Sequence, residues 1–156
     1  MNELPAIAFD RFRDLVGQPF APSAWRTIDQ DMIARFAALT GDHQFIHVDE
    51  ARAAASPFGG TVAHGYLTLS LVTAMHDEVV PRVGGLAMRI NYGLERVRFA
   101  APVRAGAAVR GHFTLTAIEE RGRGSYLTRT AVRVEVEGSD RPAMAAERLA
   151  LLVMGE

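Results

Sequence analysis

Two short stretches of this chain hold residue types able to move protons and steady an oxyanion. Leu39-Thr40-Gly41-Asp42-His43-Gln44-Phe45-Ile46-His47 places a carboxylate, Asp42, and an imidazole, His47, five residues apart, just after a helical pattern. Thr61-Val62-Ala63-His64-Gly65-Tyr66-Leu67-Thr68-Leu69 then opens a long apolar helix with a glycine. The first turn of a helix carries N–H groups without intrahelical partners and a partial positive charge. Glycine there lets a ligand carbonyl approach the backbone. A base, an acid and an oxyanion donor are what adding water across a polarised double bond requires.

Each of these residues also has a plainer use. An Asp and a His in a loop after glycine serve as turn formers or solvated polar groups. His64 has the alternative of an interior, hydrogen-bonded histidine, and Gly65 that of easing helix–sheet packing. His43 stands four residues before His47, which makes a metal pair conceivable, but no HExxH pattern or third ligand accompanies it. No metal is assigned. Asn91-Tyr92-Gly93 interrupts a strand pattern and reads as a bulge or hairpin. Arg96 and Arg98 share one side of that strand, solvated or clamping a phosphate.

Composition narrows the chemistry further. The 156 residues contain no cysteine, and all seventeen basic residues are arginines. Disulfides, thiolate nucleophiles, Schiff-base lysines and a P-loop lysine are therefore excluded. A net charge of −1 with no dense basic cluster gives no footprint for nucleic acid. There is no apolar run long enough for a membrane span. Met1-Asn2-Glu3-Leu4-Pro5 lacks the layout of a signal peptide, and a cytoplasmic location fits.

The elements that must position these groups follow from periodicity. Ser23 to Ile28 reads as a first strand. Thr27 with Gln30 matches a capping box, so a helix starts near Asp29, carries Met32, Ile33, Phe36 and Ala37 on one face, and ends at Gly41. Asp49 caps a short helix through Ala55. From Gly65 to about Val79 the apolar residues cover most of the helix circumference, which predicts burial on most sides. Residues 86–154 read as antiparallel strands. Val109, Gly111, Phe113, Leu115 and Ala117 alternate with polar residues, and turns follow at Arg121–Gly124 and Gly138–Pro142. One buried helix and one long sheet make a single α+β domain over 1–156, the sheet curled around the helix. Its open edge predicts a homodimer.

Taken in order, three segments resemble the MaoC-like (R)-specific enoyl-CoA hydratases of the hot-dog fold. The first is Phe36 followed by Thr40-Gly41-Asp42-His43-Gln44-Phe45-Ile46-His47, with Ala53 in the next helix. The second is His64-Gly65, and the third runs from Val97 through Phe99 and Pro102-Val103 to Gly106. Gln44-Phe45 departs from the family's Asn-Pro. With Asn91-Tyr92-Gly93-Leu94, it looks most like the branch similar to nodulation protein N. The resemblance implies that Asp42 and His47 activate a water that adds to a trans-2-enoyl-CoA, giving an (R)-3-hydroxyacyl-CoA, or the reverse. Gly65, with His64 and Asn91 beside it, would form the oxyanion and substrate-binding set. It implies an acyl-CoA thioester as partner and no separate cofactor, CoA being part of the substrate. A hot-dog thioesterase and a non-catalytic acyl-binding module are the competing expectations.

Overall fold

The structure, a computed structural model, describes residues 4–155. Met1 to Glu3, part of the stretch read for a leader, lie outside it. The helices are α1 (Phe9–Arg13), α2 (Gln30–Thr40), α3 (Phe45–Val48), α4 (Glu50–Ala54), α5 (Gly65–Ser70) and α6 (Val72–Val79). The strands are β1 (Arg26–Thr27), β2 (Leu86–Phe99), β3 (Ala108–Gly122), β4 (Ser125–Val136) and β5 (Met144–Met154). They form one antiparallel sheet in the order β1-β3-β4-β5-β2. The sheet curls around α5 and α6 in the hot-dog arrangement.

The inward residues of the alternating strands, among them Val109, Phe113, Leu115, Val134, Met144 and Leu152, pack on Leu67, Val72 and Met75 of the two helices. Each such side chain contributes about 1.5–3 kcal/mol relative to exposure. Gly111 sets how closely α6 approaches. A Cβ there would lie 2.6 Å from the Phe113 ring and 3.1 Å from Met75 Cβ.

Local signals differ from the sequence expectation in four places. The cap of α2 is Asp29, whose carboxylate accepts the Met32 N–H at 2.8 Å, while Thr27 sits in β1. The first strand shrinks to two residues because Ser23 is occupied with Gly111: its N–H donates to the Gly111 carbonyl at 3.0 Å and its hydroxyl accepts the Gly111 N–H at 2.9 Å. The central helix is interrupted at Leu71, next to Ser70, whose hydroxyl donates to the Tyr66 carbonyl at 2.7 Å. Such back-bonding bends helices. That helix also keeps one uncovered stripe of Tyr66, Ser70, Ala74 and Asp77, on the side turned away from the sheet. Asn91-Tyr92-Gly93 is a bulge within β2, where the register with β5 shifts.

The two outer edges of the sheet are finished differently. Beyond β1, the chain before it covers β3: Gly17, Phe20 and Ser23 donate N–H bonds to Leu115, Phe113 and Gly111 at 2.7–3.0 Å. β2 pairs only with β5 and exposes Met88, Ile90, Tyr92, Leu94 and Phe99.

Candidate functional site

Asp42 is delivered by the end of α2. Gly41 takes the left-handed conformation (φ 78°) that closes the helix, and its N–H donates to the Ala37 carbonyl at 2.8 Å. Asp42 Oδ1 then accepts the Gln44 N–H at 3.3 Å, a turn that leaves Oδ2 free to face the site. The Asp42 side chain stays about half exposed.

His47 lies in α3, not in an open loop, and it is buried. Its Nδ1 is 2.6 Å from the Val62 carbonyl, so Nδ1 carries the proton and donates. Nε2 is left as a lone-pair acceptor. Its main chain is held as well, by Gln30, whose Nε2 donates to the His47 carbonyl at 2.8 Å and whose Oε1 accepts the Thr61 hydroxyl at 2.5 Å. Neither Val62 nor Gln30 was marked as functional in the sequence. Partners 15 or 17 residues away leave no periodic signal.

His64 caps the start of α5 and is almost fully buried, 2 % exposed. Its Nε2–H donates to the Asp42 carbonyl at 3.0 Å, tying the Asp42 turn to the helix start. Its ring stacks on His47 with centroids 3.7 Å apart and is flanked by Phe36 at 5.1 Å. Nδ1 has no hydrogen-bond partner among the described residues. A buried acceptor left so costs about 1–3 kcal/mol.

One carboxylate oxygen of Asp42 and one ring nitrogen each of His47 and His64 lie within 4.8 Å of one another. The structure thus joins to His47 not the nearby His43, which is exposed, but His64 from the next segment. The three atoms could hold a water between them, and they are also the donors a metal would find there.

Beside this cluster the helix begins. Thr61, four residues before Gly65, gives its carbonyl to Ala105, and no carbonyl of the described residues takes the N–H groups of Gly65 or Tyr66. A Cβ on Gly65 would fall 2.8 Å from Phe99 Cγ, so the glycine lets that aromatic ring lie against the helix start. A cavity of about 250 Å³ opens there between Gly65, Thr68, Phe99 and Pro102. Asn91 is not part of this cluster. It lines a second cavity farther along α5 and α6.

A curled sheet around a helix, with a carboxylate and two imidazoles gathered at that helix's start, defines a hot-dog protein with a candidate acid–base site. The MaoC like domain model matches residues 11–137, and the chain belongs to that family. It is 48% identical to Nodulation protein N of Rhizobium leguminosarum bv. viciae over 138 residues, 88% of this chain and 86% of the relative. It is 44% identical to 3-hydroxyacyl-thioester dehydratase Z of Mycobacterium tuberculosis over 144 residues, 90% of this chain and 95% of the relative. Among solved structures it is similar to the (R)-hydratase from A. caviae involved in PHA biosynthesis, at 27% identity and TM-score 0.71, covering 86% and 94% of the two chains. The chain is a hydro-lyase of this dehydratase family. Among the described residues, no helix is long and apolar enough to cross a membrane.

Proposed function

We propose that this enzyme adds water to trans-2-enoyl-CoA thioesters to give (R)-3-hydroxyacyl-CoA, or runs the reverse dehydration. The observation that carries the reading is the meeting of Asp42, His47 and His64 within 4.8 Å beside the start of α5. Asp42 Oδ2 and His47 Nε2 each accept one O–H of a single water. The water oxygen bonds to Cβ, and the proton removed by the pair passes to Cα. Charge that builds on the thioester oxygen is met by the Gly65 N–H, an interaction worth about 2.7–4 kcal/mol when such a donor is deleted elsewhere. Val62 fixes the His47 tautomer through its carbonyl, and His64 fixes the Asp42 turn.

The (R) outcome and the thioester substrate are supported by the dehydratase and (R)-hydratase relatives. In this reading no separate cofactor takes part, because CoA arrives with the substrate. The bare edge of β2 pairs with a second copy, in keeping with the rule that long exposed edges are covered. Light scattering should then give twice 17.0 kDa. A cytoplasmic setting, where acyl-CoA thioesters are available, suits this chemistry.

Incubation with crotonyl-CoA tests the reaction. Loss of enoyl absorbance without release of free thiol, with (R)-3-hydroxybutyryl-CoA as product, is the expected result. Thiol release would make the enzyme a thioesterase, and binding without turnover would make it an acyl-binding module.

A further inference from the structure

The second cavity, about 390 Å³, lies between α5, α6 and the bulged part of β2. Leu69, Val72 and Leu94 supply an apolar wall; Thr73, Asn91 and Arg148 supply the polar end. Arg148 is only 5 % exposed. One of its terminal nitrogens donates to Asn91 Oδ1 at 2.8 Å, and that is its one hydrogen bond among the described residues. A guanidinium has five N–H donors and does not lose its charge in a protein. Holding it in the interior without a counter-charge costs several kcal/mol.

No carboxylate lines this cavity. Asp77, the acid whose charge acts on Arg148, is engaged by Arg89 at 2.7 Å and by His76 at 3.0 Å. Burial and the repulsion of Arg89 pull the Arg148 pKa down to about 10, with Asp77 opposing only in part. The Asn91 amide offers two further donors, since only its oxygen is taken, and the Thr73 hydroxyl another. Donors predominate among the polar groups at this end. What is missing is an acceptor with negative charge.

We propose that Arg148, Asn91 and Thr73 form a carboxylate-binding subsite for the far end of the substrate's acyl chain, so that the preferred thioesters carry an ω-carboxylate. The inference rests on the acyl-CoA reading above. Leu69 to Thr73 lie four to eight residues beyond Gly65, about 6–12 Å along the helix at about 1.5 Å per residue. A chain of medium length anchored at Gly65 is long enough to cover that distance. A planar carboxylate matches the guanidinium fork and supplies the absent counter-charge.

Calorimetry on the intact protein with saturated acyl-CoAs of equal medium length, ending in methyl or in carboxylate, tests this without requiring turnover. The carboxylate ester should bind at least about tenfold tighter, the loss in Arg148→Met should remove that preference, and Arg148→Lys should keep part of it. Should Arg148→Met fail to fold, Asn91→Leu, at an exposed position, should still reduce the preference several-fold. Equal binding of the two esters by the wild type, or preference for the methyl end, would overturn the proposal; a second copy's acid satisfying Arg148 would give that result. Free adipate binding as tightly as the tethered carboxylate would also overturn it, showing a general anion site. Crotonyl-CoA, too short to reach Arg148, reports on the hydration reading separately.

Discussion

The two ends of the α5–α6 helix pair each hold a polar cluster, and the clusters are built on opposite rules. At the start, His47 and His64 each have one ring nitrogen tied to a main-chain carbonyl, and the single carboxylate is half exposed. Charge there is kept low and lone pairs are left open. Farther along, Arg89, Arg148 and Asp77 set fixed charges against one another, with His76 hydrogen-bonded to Asp77 beside them. Asp77 is held far below the usual carboxylate range by its hydrogen bonds to His76 and Arg89, which overcome the opposing effect of burial. Burial pushes the His76 pKa down, and its hydrogen bond to Asp77 only partly offsets it. The first arrangement suits proton transfer, which needs groups that change state. The second suits holding a ligand or the fold itself, which needs groups that do not.

The largest effect that separates the two ends should come from Gly65. Gly65→Pro deletes the N–H at a position where proline is otherwise tolerated, since His64 already has φ −59° and ψ 138°. Because any Cβ meets Phe99, the substitution belongs in a Phe99→Ala background. There it should lower kcat by about 10²–10³ relative to Phe99→Ala alone, with an intact thermal melt. Full activity in a folded double variant would make the helix start purely structural.

The other end should show itself in stability against pH. His76 has a folded pKa below its unfolded value of 6.5. Its contribution is therefore present above that value and lost as pH falls toward the folded pKa, because the unfolded chain binds the extra proton. The melting temperature should decline as pH drops below about 6.5, and His76→Gln should flatten that decline. An unchanged slope in His76→Gln would remove His76 from the pH response.

The smallest effect concerns the loop that carries Asp42 and His47. Gln44 already has the extended backbone that precedes proline, and Phe45 is the first residue of α3. Phe45→Pro should change stability by less than about 1 kcal/mol, the gain in chain stiffness being offset by loss of the Arg52 guanidinium stacked 4.3 Å over the Phe45 ring. Thermal melts settle this, and a large destabilisation would mean the Phe45 N–H or ring does more than stiffen the loop.

The contrast also separates what was legible in the sequence from what was not. The curled sheet followed from strict alternation in β3 and β4, α4 from its Asp49 cap and α2 from its apolar spacing, because those signals are local, whereas the capping box read at Thr27 gave way to Asp29. The nearness of Asp42 to His47 was legible from spacing and from a family resemblance that covers nearly the whole chain. The tautomer of His47 was not, since it depends on the Val62 carbonyl, nor was the stacking of His64, which arrives from another segment. The continuous helix was over-read because a serine hydroxyl bonding back to a carbonyl leaves the apolar pattern intact. Arg148 was invisible as a buried charge: in an alternating strand, only the curl of the sheet and the bulge in β2 place it inside.

The most direct test of the Asp42/His47 pair is a double-mutant cycle on kcat with crotonyl-CoA. Asp42→Asn keeps the shape and removes the acceptor, and it should lower kcat by about 10²–10⁴, as should His47→Ala. On the proposed shared water, the double variant should be little worse than the poorer single one. Losses that multiply in the double variant, or near wild-type turnover by Asp42→Asn, would contradict a shared water.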